Sequence, residues 1–384
     1  MISSINSTIY RIGLLDQTQT KLNNQLASGD KLQYGSDDSV LYSRLVHVDN
    51  SIQTNNGLRD QINRVDVLNK TSDTSLNDAK KNVEYIKSEL IKANTSTTGI
   101  EGLEAIAQNL AGMKESIFNL ANTSTEGQYV FSGSDASVKP FVMDANGKVT
   151  YQGNDSLRKV AIDDGSYRDA GVNGLDAFYY TTDSGLKGET LTFKEGDRIV
   201  DQDGNEWKLN SPTNDTLTKT NWDGSTEVIT PVSQDPVTGE YQASLPTADG
   251  TKFEARRSVF DMLDEAVRSL RGLDELGNPV SPTDDAANYE FRRAGISKAV
   301  DEISKVHDSL TISHSDLGAK NKTFQVSLER LNSKNTQLGI LKTELGKANE
   351  ADIAIKLKAL ELSYASVYST VNRTFELSLV NFMR

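Results

Sequence analysis

The 384-residue sequence contains no cysteine. This absence excludes disulfide bonds, thiol catalysis and cysteine-ligated zinc. The sequence also lacks an apolar run of about 18 residues, so we expect no transmembrane helix. Its first six residues, Met-Ile-Ser-Ser-Ile-Asn, lack the basic region and the apolar stretch of a cleavable secretory signal.

Basic residues are in the minority, since 41 Lys and Arg face 54 Asp and Glu, and the net charge is −13. Nucleic-acid binding requires a basic surface, so the net charge argues against this class of function. The charge is also uneven, because residues 135–254 contain 21 acidic and 11 basic residues and so carry −10 of the total. We expect this acidic middle segment to form a solvated outer surface.

Apolar residues repeat in steps of four and three at both ends of the chain. Near the C-terminus they are Ile353, Leu357, Leu360, Tyr364, Val367, Val371, Phe375, Leu379 and Phe382. Near the N-terminus they are Ile5, Ile9, Ile12, Leu15, Leu22 and Leu26. Such a heptad seam is stable only when another helix covers it. The pattern therefore predicts that both termini lie together in a coiled coil.

The same spacing predicts two long inner helices, one from about residue 40 to 93 and one that includes residues 296–338. In the second of these helices, one class of seam position is wholly apolar. The other class contains His307, His314, Asn321 and Asn335. Polar residues at one class of seam position cost stability but specify the register of the helices. We interpret these four residues as register-setting.

The middle of the chain contains short apolar segments separated by turn residues. The pair Asn146-Gly147 lies between Phe141–Met143 and Val149–Tyr151, which predicts a β-hairpin. Further strand candidates, among them Ala177–Thr181, recur about every eight to twelve residues, as is typical of antiparallel β structure.

The order of these segments predicts an α+β fold. A long α-helical coiled-coil stalk, formed by both the N- and C-terminal segments, would carry an inserted central antiparallel β domain. We expect an N-terminal assembly helix and turn (1–40), the two halves of the helical stalk (41–128 and 257–348) and a C-terminal assembly helix (349–384). Residues 129–256 would form the β-rich outer domain, either as one domain or as two with a break near residue 185.

No arrangement of residues predicts an active site, a cofactor site or a metal site, and we expect no enzyme. His307 and His314 lie seven residues apart, which is too far along a helix for one chelate. The segment Asp201–Glu206 resembles a calcium loop, but Glu206 stands where an EF-hand requires glycine. A hairpin turn is the interpretation we adopt for this segment.

A polar turn follows the first predicted helix. Ser36, Asp37 and Asp38 come after Gly29 and Gly35, which end that helix. Their position predicts a capping turn in which Ser36, Asp37 or Ser39 caps the second helix.

Three stretches resemble the bacterial flagellin family and, within it, the proteins of the hook–filament junction. The first is Gln25–Leu32 (QLASGDKL), which is followed by Ser36, Asp37 and Asp38; Gly35 and Ser39 stand where the family usually has proline. The second is Tyr129–Gly133 (YVFSG) with the later segments KPF (139–141) and VTYQG (149–153). The third combines ADIA (351–354) with LSLVNFMR (377–384). Residues of about 155–255 show no such likeness.

The resemblance implies a structural protein that is exported unfolded, without a cleavable signal, through the flagellar type III apparatus. It implies an extracellular place at the hook–filament junction and the following partners: other copies of the chain in a ring or helical layer, the first hook-associated junction protein, flagellin, and an export chaperone on the C-terminal helix. Neither nucleic acid nor a membrane span is implied. The absence of cysteine suits passage through a narrow channel. We expect assembly contacts at Ile5, Ile9, Ile12, Leu22, Leu26, Ile353, Leu357, Leu360, Tyr364, Phe375, Leu379 and Phe382.

Two alternatives stay open. Because the terminal helices are common to the whole family, the chain could be a flagellin, the filament subunit. A surface adhesin is the second alternative, and it would use exposed aromatic residues such as Trp207 or Trp222 of the β domain.

Overall fold

A computed structural model describes residues 2–95, 98–186, 188–210, 213–221, 223–235, 239–245, 251–275, 277–281 and 286–382. The side chains of residues 2–5, 374 and 377–382 are also outside this description. The predictions for the side chains of Ile5, Leu379 and Phe382, and the mention of Trp222, therefore fall outside the described part of the chain.

Helices occupy both ends of the chain and flank the strands. Their bounds are α1 Ile2–Ser28, α2 Ser39–Ala93, α3 Ile100–Ala121, α4 Gly174–Phe178, α5 Val259–Arg271, α6 Ala286–Gly346 and α7 Glu350–Phe382. Local capping explains several of these ends. Gly29 follows α1 in the left-handed region with φ +73°, which a glycine adopts without steric cost. Asn349 accepts the backbone N–H of Ala351 at 3.1 Å through its side chain and so caps α7.

The strands form antiparallel pairs. Those outside the two main sheets are β1 Ser124–Thr125, β2 Gln128–Tyr129, β3 Phe141–Met143, β4 Val149–Tyr151, β5 Arg158–Asp163 and β6 Ser166–Ala170. Those of the main sheets are β7 Tyr179–Gly185, β8 Thr190–Phe193, β9 Arg198–Asp201, β10 Glu206–Leu209, β11 Leu217–Thr220, β12 Thr226–Ile229, β13 Val232–Gln234, β14 Tyr241–Ser244 and β15 Phe253–Ser258. The larger main sheet has the order β12-β11-β10-β9-β15-β7, and the smaller has the order β13-β14-β8.

The buried apolar residues form two separate cores. The helical core joins α2, α3, α5 and α6 to an aromatic cluster in which Phe141 lies 5.5 Å from Phe178 and 5.3 Å from Phe260, measured between ring centroids. The second core lies between the two main sheets and includes Trp207 and Tyr241. We call the two main sheets with this core the β sandwich. Alternate residues of each strand face inward, which is the usual origin of such a core.

The chain divides into two compact units. The first consists of Met1–Asp60 with Ser327–Arg384, and the second is Gln61–Val326. The helical core and the β sandwich both belong to the second unit, whereas α1 and α7 belong to the first.

The predicted fold class is confirmed: helices from both termini flank an inserted antiparallel β region. The hairpin around Asn146-Gly147 is present, with Met143 opposite Val149. One strand candidate is partly wrong, because Ala177 and Phe178 end the short helix α4. The helix forms there because the side chain of Asn173 accepts the backbone N–H of Asp176 at 2.8 Å and caps it.

Candidate assembly surfaces

The turn between α1 and α2 is organised by Asp37. One of its carboxylate oxygens accepts the backbone N–H groups of Gln33 and Tyr34, each at 3.0 Å. The other oxygen pairs with the Lys21 ammonium of α1 at 3.1 Å. The backbone N–H groups of Tyr34 and Gln33, together with Lys21, hold the pKa of Asp37 below its usual value. The carboxylate therefore acts as the centre of a turn that is attached to α1.

Asp38, and not one of the three residues predicted for this role, caps α2. Its carboxylate accepts the backbone N–H of Val40 at 3.1 Å and of Leu41 at 2.9 Å. The cap was misassigned because the turn contains four residues with suitable side chains, and sequence alone does not show which backbone enters the helix first. Ser36 lies exposed within the turn. The interpretation of this segment as a capping turn is consistent with the geometry.

Gly35 stands in this turn between Tyr34 and Ser36. The turn closes with a hydrogen bond from the Asp37 N–H to the Tyr34 carbonyl oxygen at 3.0 Å. A Cβ atom on Gly35 would lie 3.1 Å from Cδ1 of the Tyr42 ring, which is tighter than ordinary contact. A larger residue at position 35 would therefore require a small shift of the exposed Tyr42 ring.

The same turn is joined to the segment between α6 and α7. The Lys31 N–H donates to the Gly346 carbonyl oxygen at 2.7 Å, and the Ala348 N–H donates to the Gly29 carbonyl oxygen at 2.9 Å. Lys31 Nζ also donates to the carbonyl oxygen of Glu344 at 2.6 Å. The two crossings of the chain, one after α1 and one before α7, are thus held together by backbone hydrogen bonds.

Helices α1 and α7 pack against each other in antiparallel orientation, since the end of α1 lies beside the start of α7. Three of the predicted seam residues are buried between them: Leu22 at 8% exposure, Ile353 at 3% and Leu360 at 8%. Ile12, Leu357 and Tyr364 are half-buried. These parts of the two terminal seams therefore cover each other within one chain.

Other large apolar residues of this helix pair are exposed. Three of them, Ile9, Leu26 and Phe375, were predicted as assembly contacts. The remaining ones were missed, and they are Tyr10, Leu14, Ile355, Leu362 and Tyr368. Leu362 is 66% exposed and lies two residues, or about 200° around the helix, from the buried Leu360. The spacing of seven residues between Ile355 and Leu362 is the signal that could have identified this second face.

Each of the four polar seam residues of α6 contacts a polar residue of α2. In the second unit, the pairs and their distances are Asn321–Asn69 at 2.7 Å, His314–Asp73 at 2.9 Å and His307–Glu84 at 3.4 Å. In the first unit, Asn335 donates to Asn56 at 2.7 Å. Asn69 is 2% exposed, so its amide depends on its partner across the seam.

The YVFSG and VTYQG segments meet around one tyrosine. The Tyr151 hydroxyl donates toward the carbonyl oxygens of Phe131 at 3.0 Å and Asn154 at 2.9 Å. Added Cβ atoms would lie 2.4 Å from this hydroxyl oxygen at Gly153 and 2.5 Å from the Tyr151 ring at Gly174. The close approach of the backbone to the half-buried Tyr151 side chain accounts for Gly153 of this motif and for Gly174.

The described residues contain no cluster of His, Cys, Asp or Glu suited to a metal ion. The carboxylate of Asp201, in the segment that resembles a calcium loop, is instead used within its own hairpin. It accepts the backbone N–H of Asp203 at 3.0 Å, that of Asn205 at 2.9 Å and the Trp207 indole N–H at 3.0 Å. Within the same described ranges, no helix is both long and apolar enough to cross a membrane.

Paired terminal helices around an antiparallel β insertion define the class to which the fold belongs, and solved structures share it. FlgL of Xanthomonas campestris is 16% identical with a TM-score of 0.53, and the match covers 77% of this chain and 99% of that one. The flagellar hook associated protein-3 of Legionella pneumophila is 14% identical with a TM-score of 0.53 (78% and 98%).

A putative flagellar hook-associated protein of Vibrio parahaemolyticus is 10% identical with a TM-score of 0.53, and the match covers 81% of this chain and all (100%) of that one. No protein-family model and no curated protein matches the sequence. The likeness in structure, at these low identities, establishes a common fold, and this fold is the one that the sequence motifs indicated.

Proposed function

We propose that this chain is a structural subunit of the bacterial flagellum that joins the hook to the filament and polymerises through its terminal helices. The observation that carries the proposal is the common fold, which extends over nearly the whole length of the hook-associated chains. The α1–α7 pair adds a physical reason for polymerisation, because eight large apolar side chains on it face solvent.

An apolar surface of this kind favours association. Burying one exposed Leu, Ile or Phe side chain contributes about 1.5–3 kcal/mol. Monomeric proteins seldom leave a large connected apolar surface in water. In the proposed assembly, Ile355 and Leu362 contact neighbouring subunits, while Leu360 holds α7 on α1 within each subunit. Of the predicted contact residues, Leu360 thus belongs to an internal set, whereas the exposed Ile9, Leu26 and Phe375 belong with Ile355 and Leu362 to an external set.

The partners follow from the proposed place at the junction. They are other copies of the chain in a ring or helical layer, the first hook-associated junction protein below it, and flagellin above it. An export chaperone would cover α7 before assembly, because its exposed apolar residues would otherwise aggregate. The subunit would act outside the cell after export without a cleavable signal, and its role would be structural and not enzymatic.

Gene deletion tests this proposal against the two alternatives. In the deletion strain, we expect hooks without filaments in electron micrographs, and monomeric flagellin in the medium. If flagellin is missing from both cells and medium, the chain is the flagellin itself. Normal filaments would contradict both flagellar functions and would favour the adhesin alternative, which lost support when Trp207 was found to be 6% exposed.

Three variants of α7 test the contact surface in that strain. Leu362→Asp should leave the purified protein folded but restore no filaments, because Leu362 is exposed in the subunit. Leu360→Asp should loosen α7 from α1, which limited proteolysis would detect. Ser366→Asp changes an exposed polar residue of the same helix and should restore filaments. Full motility with Leu362→Asp would exclude this face from assembly.

A further inference from the structure

The β sandwich is connected to the helical core through β7 and β15, the last two strands of its larger sheet. Strands β7 and β15 pair from Tyr179–Ser258 at one end to Gly185–Phe253 at the other. Tyr179 belongs to the helical core, whereas Phe253 belongs to the core of the sandwich. Strand β9 pairs with the other edge of β15 only as far as Arg256, so Arg257 and Ser258 pair with β7 alone. A register shift between Ala255 and Arg256 lies where this two-stranded connection begins, and such bulges bend and twist a strand pair. We treat this connection as a hinge.

Arg257 lies directly beside this bulge and is 4% exposed. Its guanidinium forms a two-point contact with the Asp197 carboxylate, at 2.8 and 3.1 Å. Asp197 belongs to the β8–β9 turn of the sandwich, and its side chain is 2% exposed. The third guanidinium nitrogen donates to Glu302 of α6 at 3.0 Å. One side chain therefore connects the sandwich to the longest helix across the hinge.

Further ion pairs surround this contact. Lys194 of the β8–β9 turn pairs with Glu265 of α5 at 2.7 Å. Lys298 of α6 pairs with Glu240, which precedes β14, at 3.3 Å. Each pair joins a loop of the sandwich to a helix of the helical core. Within the described residues, the two cores have no buried apolar residue in common, so charge takes the place of a shared core.

We propose that Arg257 with Asp197 and Glu302 is a latch that holds the β sandwich at one fixed orientation to the helical core across the β7–β15 hinge. Paired buried charges add little net stability compared with apolar residues of the same size. They do impose a definite geometry, because a guanidinium satisfies both carboxylates in only one arrangement. The latch therefore determines the orientation of the β sandwich more than the free energy of unfolding. This role does not depend on what the sandwich binds.

Distance measurements between two spin labels test the latch. The chain has no cysteine, so Ala111→Cys on α3 and Thr226→Cys on β12, both exposed positions, accept labels at these two sites alone. The parent protein should give one narrow distance distribution by pulsed electron paramagnetic resonance. Arg257→Met should broaden it at least about twofold, since a released hinge samples several angles. Arg168→Met, which removes an exposed arginine, should leave it narrow.

A charge-neutral variant decides the outcome if Arg257→Met fails to fold. Asp197→Asn, Arg257→Met and Glu302→Gln together remove the latch without leaving a buried charge unpaired. We expect the far-UV circular dichroism of this triple variant to match that of the parent. In a Trp222→Phe background, the fluorescence emission of Trp207 should also match. The distribution of distances between the two spin labels should nevertheless be broad. A narrow distribution would refute the latch. A shift of the Trp207 emission to that of a solvent-exposed indole would also refute the latch. Arg257, Asp197 and Glu302 would then be needed for the sandwich to fold, and not only for its orientation.

Discussion

The buried amide pair between α2 and α6 offers a sharp test of the polar seam. Asn69 Nδ2 donates to Asn321 Oδ1 at 2.7 Å, and Asn69 is 2% exposed. Asn321→Leu leaves the buried amide of Asn69 without its partner, and such a loss costs about 1–3 kcal/mol. Asn69→Leu leaves the half-buried amide of Asn321, which water can reach, so its cost should be smaller. We therefore expect both single variants to lower the free energy of unfolding, and Asn321→Leu to lower it more.

The double variant should behave differently from the sum of the single variants. With both amides replaced, no polar group is left unsatisfied, and two leucines bury more apolar area than two asparagines do. We expect its stability to lie within about 1 kcal/mol of the parent protein, or above it. Urea unfolding followed by far-UV circular dichroism would measure all three variants. Gln325→Leu, at an exposed position of α6, is the matched control and should change little.

The proposed register-setting role has its own readout. Spin labels on Lys81→Cys of α2 and Asp308→Cys of α6, both exposed, would report how far the helices are displaced along each other. In the double leucine variant, we expect a second distance shifted by one heptad, or about 10 Å. A single unchanged distance, combined with single variants as stable as the parent, would refute the reasoning that this pair specifies register.

Two further changes test the packing of the helical core. Burial raises the pKa of Asp261 to about 6, against the opposing charge of Lys148, so the folded protein binds a proton that the unfolded chain releases near its ordinary value of 3.8. The free energy of unfolding should therefore fall as pH rises from about 4 to about 6. Asp261→Asn should remove this pH dependence and be about 1–2 kcal/mol more stable than the parent protein at pH 7. Thermal unfolding at several pH values measures this, and the same pH dependence in variant and parent would contradict it. Gly174→Ala should lose about 1–3 kcal/mol in urea unfolding, because its Cβ would lie 2.5 Å from the Tyr151 ring, whereas Gly112→Ala, with open space around it, should lose none.

The long helices were predictable because their information is local. A heptad repeat requires only that apolar residues recur on one face; the bounds of α2 follow the predicted seam closely, whereas α6 extends beyond its seam at both ends. The polar seam residues could likewise be identified, since a polar residue at a heptad position is conspicuous. Their partners Asn69 and Asp73 could not, because pairing depends on how far two helices are displaced along each other.

The β sandwich was predictable as a class but not in its arrangement. Strands β11 and β13 were not among the strand candidates, and β11 has the sequence Leu-Thr-Lys-Thr with Leu217 as its one buried residue. A short strand of this kind is stabilised by the strands beside it more than by its own pattern. The latch was missed for the same reason. Arg257 is separated by 60 positions from Asp197 and by 45 from Glu302, and only the folded chain brings these charges together.

The terminal helices show how a correct pattern can lead to an incomplete assignment of contacts. A heptad pattern indicates that another helix covers the apolar face, but it does not show whether that helix belongs to the same chain or to another. In this structure α1 of the same chain covers the first part of the α7 seam, and Ile353 and Leu360 are buried as a result. Two groups of apolar residues remain in water: Ile9, Leu26 and Phe375 of the seams, and residues outside the seams such as Ile355 and Leu362. Under the proposed function, both groups supply the reason to assemble. Assembly should therefore depend in part on a face that the heptad pattern does not describe.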